Sequence, residues 1–192
     1  MLVVLLLVGF AGCAGCGAYN SLVAEEENVN AAWGNVETTY QRRADLIPNL
    51  VSTVKGAAEF EQETLNAVTN ARARATSINL SAEDLSDPAR LQQFQEAQAG
   101  LGGALGRLLV VAENYPQLRA TEAFRDLQAQ LEGTENRINV ARTRYNEAVR
   151  TYNTKVRKFP AALFAGLFGH SPRPAFEADP GAEQAPTVDF SS

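Results

Sequence analysis

"YQRRADLIPNLVSTVKG", residues 40–56, places two adjacent arginines, an aspartate and a proline inside an otherwise amphipathic run. The topology turns on Pro48. In a helix interior a proline removes one hydrogen bond and clashes with the carbonyl four residues back, whereas in a first turn its missing N–H costs nothing. Asp45 stands just ahead of it, where its carboxylate can cap a new helix and meet the helix dipole favourably. The stretch therefore reads as a corner, with one helix over about 19–45, a break at Leu46–Pro48 and a second helix over about 48–78.

The apolar pattern on both sides has helical spacing. Leu22, Val29, Trp33, Val36 and Tyr40, then Ile47, Leu50, Val51 and Val54, recur at steps of three and four, which is one stripe of an amphipathic helix and not the alternation of a strand. "INLSAEDLSDP" (78–88) ends the second helix, and Asp87 with Pro88 opens a third that runs to "NYP" at 114–116. Within it Gly100, Gly103 and Gly106 lack the following Lys and Ser/Thr of a phosphate loop, so they read as small residues for close helix approach. A fourth helix over about 121–158 carries Leu127, Leu131, Thr134, Ile138, Ala141, Tyr145, Ala148 and Tyr152 in coiled-coil-like heptad steps. Lys155, Arg157 and Lys158 suit its C-terminal dipole, and Pro160 stops it. The expected fold is all-α: an antiparallel bundle of about four long helices over 19–160, preceded by an N-terminal membrane segment.

Residues 1–18, "MLVVLLLVGFAGCAGCGA", are uncharged, and the first charge is Glu25. About 18 to 22 helical residues reach the ~30 Å of a bilayer core, so a single span is feasible. The change from Leu and Val to Gly, Ala and Cys also resembles a signal peptide running into its cleavage region. "FAGC" ending at Cys13 and "CAGC" ending at Cys16 resemble the lipobox of bacterial lipoproteins, each imperfect at its first position. A retained span, lipid attachment at Cys16 or Cys13, and a buried helix remain open. A CxxC redox pair lacks the βαβ surroundings it needs. After Pro160, "AALFAGLFGH" (161–170) is a short apolar piece folded back on the bundle or resting at the membrane surface. "SPRPAFEADPGAEQAPTVDFSS" (171–192) reads as a flexible, extended or disordered acidic tail, with Phe176 and Phe190 as local tethers.

Composition narrows the chemistry. With 192 residues and 45% apolar content the chain forms one domain around one core. A net charge of −5 argues against nucleic-acid binding, which needs a basic surface. Cysteine is confined to Cys13 and Cys16, and His170 is the lone histidine. That excludes a di-iron bundle and any triad built on a helical histidine. No catalytic, metal or cofactor-binding residues emerge, and no small-molecule substrate is evident. Glu132 and Glu135 read as solvated or salt-bridged. Arg42 and Asp45 suit an intrahelical pair, and the sharper expectation is that Arg42 or Arg43 meets Glu132 or Glu135 across the bundle in a structural ion-pair layer.

These stretches together, "YNSLV" (19–23), Trp33, "QRRADLIPNLVSTVKG" (41–56), "AVTNARARA" (67–75), "FRDLQAQLEGTENRINVARTRYNEAVRTYN" (124–153) and "KFP" (158–160), resemble the LemA family of bacterial membrane proteins. The resemblance covers nearly all of Tyr19 to Phe190. It implies an N-terminal membrane segment followed by a bundle of long helices, with no established enzymatic activity and no site residues of known role. The expected function is a membrane-anchored scaffold or interaction protein of the bacterial cell envelope, with the membrane and an unidentified envelope protein as partners. The alternatives are a lipid-contacting or membrane-remodelling protein, using 161–170 with nearby cations, and a carboxylate-dependent enzyme.

Overall fold

The structure is a computed structural model that describes residues 1–56 and 60–177; within the first helix, side chains are described from Gly15 onward. Among the described residues the regular elements are helical. They are α1 (Leu2–Lys55), α2 (Gln62–Ser77), α3 (Pro88–Ala112), α4 (Pro116–Arg119), α5 (Glu122–Arg157) and α6 (Ala161–Ala165), with one 3-10 turn at Asp84–Ser86.

Pro48 does not make a corner. It lies inside α1, and the chain leaves that helix only at Gly56, whose N–H still donates to the Ser52 and Thr53 carbonyls at 3.3 Å. Two physical reasons overturn the break expected at Leu46–Pro48. First, Ile47, Leu50 and Val54 continue the stripe of Val36 and Tyr40 and are all buried. Three such side chains at about 1.5–3 kcal/mol each outweigh the roughly 3 kcal/mol that an interior proline costs. Second, the Ala44 carbonyl, which Pro48 cannot serve, accepts a hydrogen bond from Arg72 Nε of α2 at 2.8 Å. Asp45 caps nothing: it is exposed, and its carboxylate accepts from Gln41 Nε2 at 2.9 Å.

Asp87 does cap, its carboxylate accepting from the Ala89 N–H at 2.9 Å with Pro88 in the first turn of α3. Thr121 accepts in the same way from Phe124 N–H at the start of α5.

α1 and α5 form an antiparallel spine. As the α1 position falls from Arg43 to Trp33 to Glu25, its α5 neighbour moves from Glu135 to Tyr145 to Lys155. α2 and α3 form a hairpin against α1. On α5 the buried stripe runs through Ile138, Ala141, Tyr145, Val149, Tyr152 and Val156, so Val149 takes the position expected for Ala148. On α3 the buried stripe runs through Leu91, Phe94, Gln98, Leu101, Leu105, Leu108 and Ala112. Gly100, Gly103 and Gly106 lie off that stripe, and a Cβ on any of them meets nothing within 4 Å, which corrects the close-approach reading.

The core has two parts. One gathers Trp33, Tyr40, Phe94, Tyr145, Tyr152 and Phe176. The other gathers Ile47, Leu50, Leu65, Leu101, Leu108 and Phe124. Among the described residues no helix is long and apolar enough to cross a membrane; the anchor expected over 1–18 falls mainly on side chains outside the described residues.

The Arg72 contact yields a specific expectation. Arg72→Ala lowers stability by about 1.5–3 kcal/mol, the range for a hydrogen bond from a charged donor. In a Pro48→Ala background the loss is smaller, because residue 48 then supplies the N–H that Ala44 lacks. Urea unfolding of the four proteins in this cycle measures the coupling; additive losses contradict it.

Candidate functional site

The two halves of the core meet at a polar seam. Arg43, 3% exposed, donates from Nη1 to Glu135 Oε2 at 3.0 Å and from Nη2 to the Gln98 side-chain and backbone oxygens at 2.8 and 3.0 Å. Gln98 in turn donates from Nε2 to the Ala75 carbonyl at 3.2 Å. One guanidinium therefore links α1 to α5 and α3, and through Gln98 to α2. Of the five residues expected in an ion-pair layer, Arg43 and Glu135 come together. Arg42, Asp45 and Glu132 are exposed, and Glu132 accepts from Gln128 Nε2 at 3.1 Å. Glu135 is half-exposed, so the seam opens to solvent on one side through a cleft of about 220 Å³ bordered by Gly102, Gly103 and Arg142.

A second polar cluster lies toward the α6 end. Lys155 Nζ donates to Glu25 at 2.6 Å and to Ser21 Oγ at 2.9 Å. The Lys155 and Asn28 hydrogen bonds hold the Glu25 carboxyl below its ordinary value of 4.5. Arg173 donates to Glu26 at 2.6 Å and to Asn30 at 2.8 Å, and His170 Nδ1 lies 3.2 Å from Glu26 and 3.3 Å from the Tyr152 hydroxyl.

Arg173 belongs to an extended strap over 171–177, so this part of the expected flexible tail is fixed; residues 178–192, with Phe190, lie outside the described residues. Asn153 accepts from the Arg173 N–H and donates to its carbonyl, both at 2.8 Å. Asn146 does the same for Phe176, at 2.8 and 3.0 Å. The spacing explains the match: seven helical residues rise about 10.5 Å, and three extended residues cover about 10 Å. Phe176 is buried, stacked on Trp33 at 6.0 Å.

These polar groups are occupied in joining segments. Burial pushes the Tyr145 phenol up to about 12 and, with the Glu26 charge, raises that of Tyr152, so neither acts as a base near neutrality. A cavity of about 940 Å³ lies at the far end beside Ser52, Gly56, Asn114, Tyr115 and Thr121, and among the described residues its lining holds no carboxylate or histidine. Among the described residues no group of three His, Cys, Asp or Glu side chains is placed to hold a metal ion. Cys16 is a free, exposed thiol on α1, and the Cys13 side chain is outside the described residues.

Sequence reasoning missed Gln98, Arg72, Arg173, Asn146 and Asn153. The two asparagines left a signal, since each directly follows a buried tyrosine of the α5 stripe at a seven-residue interval.

The seam predicts unequal losses. Arg43→Ala strands Gln98 and opens a void, lowering stability by about 2–4 kcal/mol. Glu135→Gln, at a half-exposed site, costs about 0–1 kcal/mol. Urea midpoints of the two variants test this, and equal losses contradict it.

The sequence has relatives. The sequence pattern of the LemA family matches residues 32–190. The chain is 27% identical to magnetosome protein MamQ 2 of Paramagnetospirillum magneticum over 181 residues, covering 86% of this chain and 66% of that protein. It is 26% identical to magnetosome protein MamQ of Magnetospirillum gryphiswaldense over the same shares. It is also 22% identical over 155 residues to protein LemA of Metamycoplasma hominis, covering 81% of this chain and 67% of the relative. The aligned region thus spans just under two thirds of the magnetosome relatives. With a family match that takes in α1 from Ala32 onward, all of α5, the polar seam and the strap, the chain belongs to the LemA family.

Proposed function

We propose that this protein is held at a membrane of the cell envelope by its uncharged first 18 residues and acts there by binding another protein through the open side of its α1–α5 spine. One observation carries the reading. α2, α3 and the 171–177 strap pack on the spine, yet among the described residues a groove of about 440 Å³ between α1 and α5 stays open, lined by Thr38, Thr39, Arg137, Val140 and Arg144. Val140 stands half-exposed in it. An apolar contact rimmed by hydroxyls and two guanidiniums suits a helical or extended segment bearing acidic side chains.

Noncatalytic action is supported by the distribution of chemistry. The buried charges Arg43 and Arg173 serve as bolts between segments, and the described lining of the 940 Å³ cavity carries no acid or base pair. The magnetosome relatives are named for a bacterial organelle, which suits a role in organising an assembly.

A photo-reactive residue at Val140 in the full-length protein, activated in living cells, is expected to give one discrete adduct. The same probe at exposed Gln92 of α3 is expected to give none. No adduct at Val140, or the same adduct from both positions, contradicts the groove as the binding face.

A further inference from the structure

A basic and apolar ledge surrounds the level at which α1 loses its charge. Between Glu147 and Glu177 the sequence carries Arg150, Lys155, Arg157, Lys158 and Arg173 and no acidic residue, in a chain of net charge −5. Within this stretch four large apolar side chains face outward: Phe159 is 75% exposed, Leu163 68%, Leu167 78% and Phe168 46%. Arg157 and Lys158 beside them are also exposed.

The ledge is nevertheless fixed to the bundle. Ala165 is buried, a Cβ on Gly15 meets the Phe164 ring at 3.5 Å, and the Phe168 ring lies 4.9 Å from that of Tyr19. The His170 N–H closes the segment by donating to the Ala165 carbonyl at 2.8 Å. α6 is thus held against the junction between the uncharged run 1–18 and the polar body of α1, whose first charge, Glu25, is bound by Lys155.

Outward apolar side chains concentrated in one place mark a surface that something covers. Three features select lipid over protein as the cover. The ledge is continuous with an uncharged segment long enough to enter a bilayer. Its aromatic rings Tyr19, Phe164 and Phe168 gather at that single junction, as rings do at membrane–water boundaries. Its free edge is cationic, and each Lys or Arg near an anionic headgroup is worth roughly fivefold in surface partitioning.

We propose that residues 157–168 form a bilayer-contact collar. Leu163, Leu167 and Phe168 enter the boundary between headgroups and acyl chains, and Arg157 and Lys158 meet anionic phosphates. The inference rests on the reading that residues 1–18 hold the chain at a membrane. It adds that the bundle is seated on the bilayer and does not swing from a tether. The α1–α5 groove is then held at a set height, since Thr38 lies about 28 Å along α1 from Tyr19.

The test uses the full-length chain carrying Leu167→Trp, reconstituted into vesicles whose lipids are brominated near the headgroup, with and without anionic phospholipid. Leu167 is outward, so folding is preserved, and the native Trp33 is buried in the core and gives a steady background. Val110→Trp, outward on α3 at the far end, is the control. The collar predicts that the Leu167→Trp emission shifts to the blue and loses most of its intensity, more so with anionic lipid, while Val110→Trp is unchanged. Protein that floats with the vesicles but shows no quenching at residue 167 overturns the collar and leaves the anchor standing. Protein that fails to float overturns both. Equal quenching in neutral and anionic vesicles overturns the headgroup role of Arg157 and Lys158.

Discussion

The Ala44 carbonyl has no helical partner, because the residue four positions on is Pro48, and the Nε–H of Arg72 takes that place at 2.8 Å. Most of the architecture depends on this exchange. A buried carbonyl left unpaired costs on the order of 1–3 kcal/mol, so α1 stays whole only if another element comes to it. The donor sits on α2, and meeting Ala44 fixes how α2 lies against α1. One residue before Ala44, Arg43 reaches the other way to Gln98 and Glu135. Adjacent positions of one helix thereby set the places of α2, α3 and α5.

Such a polar level is a poor source of stability and a good source of register. Apolar side chains of similar volume often replace a buried ion pair at no loss. What they do not reproduce is the requirement that one layer of α1 face one layer of α5. Above and below the seam, the two parts of the core are filled by ordinary apolar and aromatic residues that tolerate sliding far better. The strap supplies a second register mark, because Asn146 and Asn153 grip backbone positions whose spacing matches theirs on the helix.

Much of the fold was legible in periodicity. The helical class, the Asp87–Pro88 start of α3 and the extent of α5 follow from local chemistry that tertiary contacts reinforce. The corner at Pro48 was misread because local rules price a proline as if its helix stood alone. The compensating donor is 28 residues away in sequence, and no window centred on Pro48 contains it. Arg43 and Glu135 were legible as opposite charges on facing stripes, whereas Gln98 was not, since a glutamine on a helix reads as surface. The strap's composition, rich in proline and poor in periodic apolar residues, conceals that Phe176 completes the aromatic core.

In the proposed function the unbroken spine carries the α1–α5 groove away from the end that we place at the membrane, along one rigid axis. The most direct test is a distance along α1 across Pro48. With Cys13 and Cys16 replaced by serine, spin labels at the exposed positions Glu27 and Ser52 should lie about 38 Å apart if the helix is continuous. A distribution centred well short of that, as two helices folding back at Leu46–Pro48 require, contradicts the account.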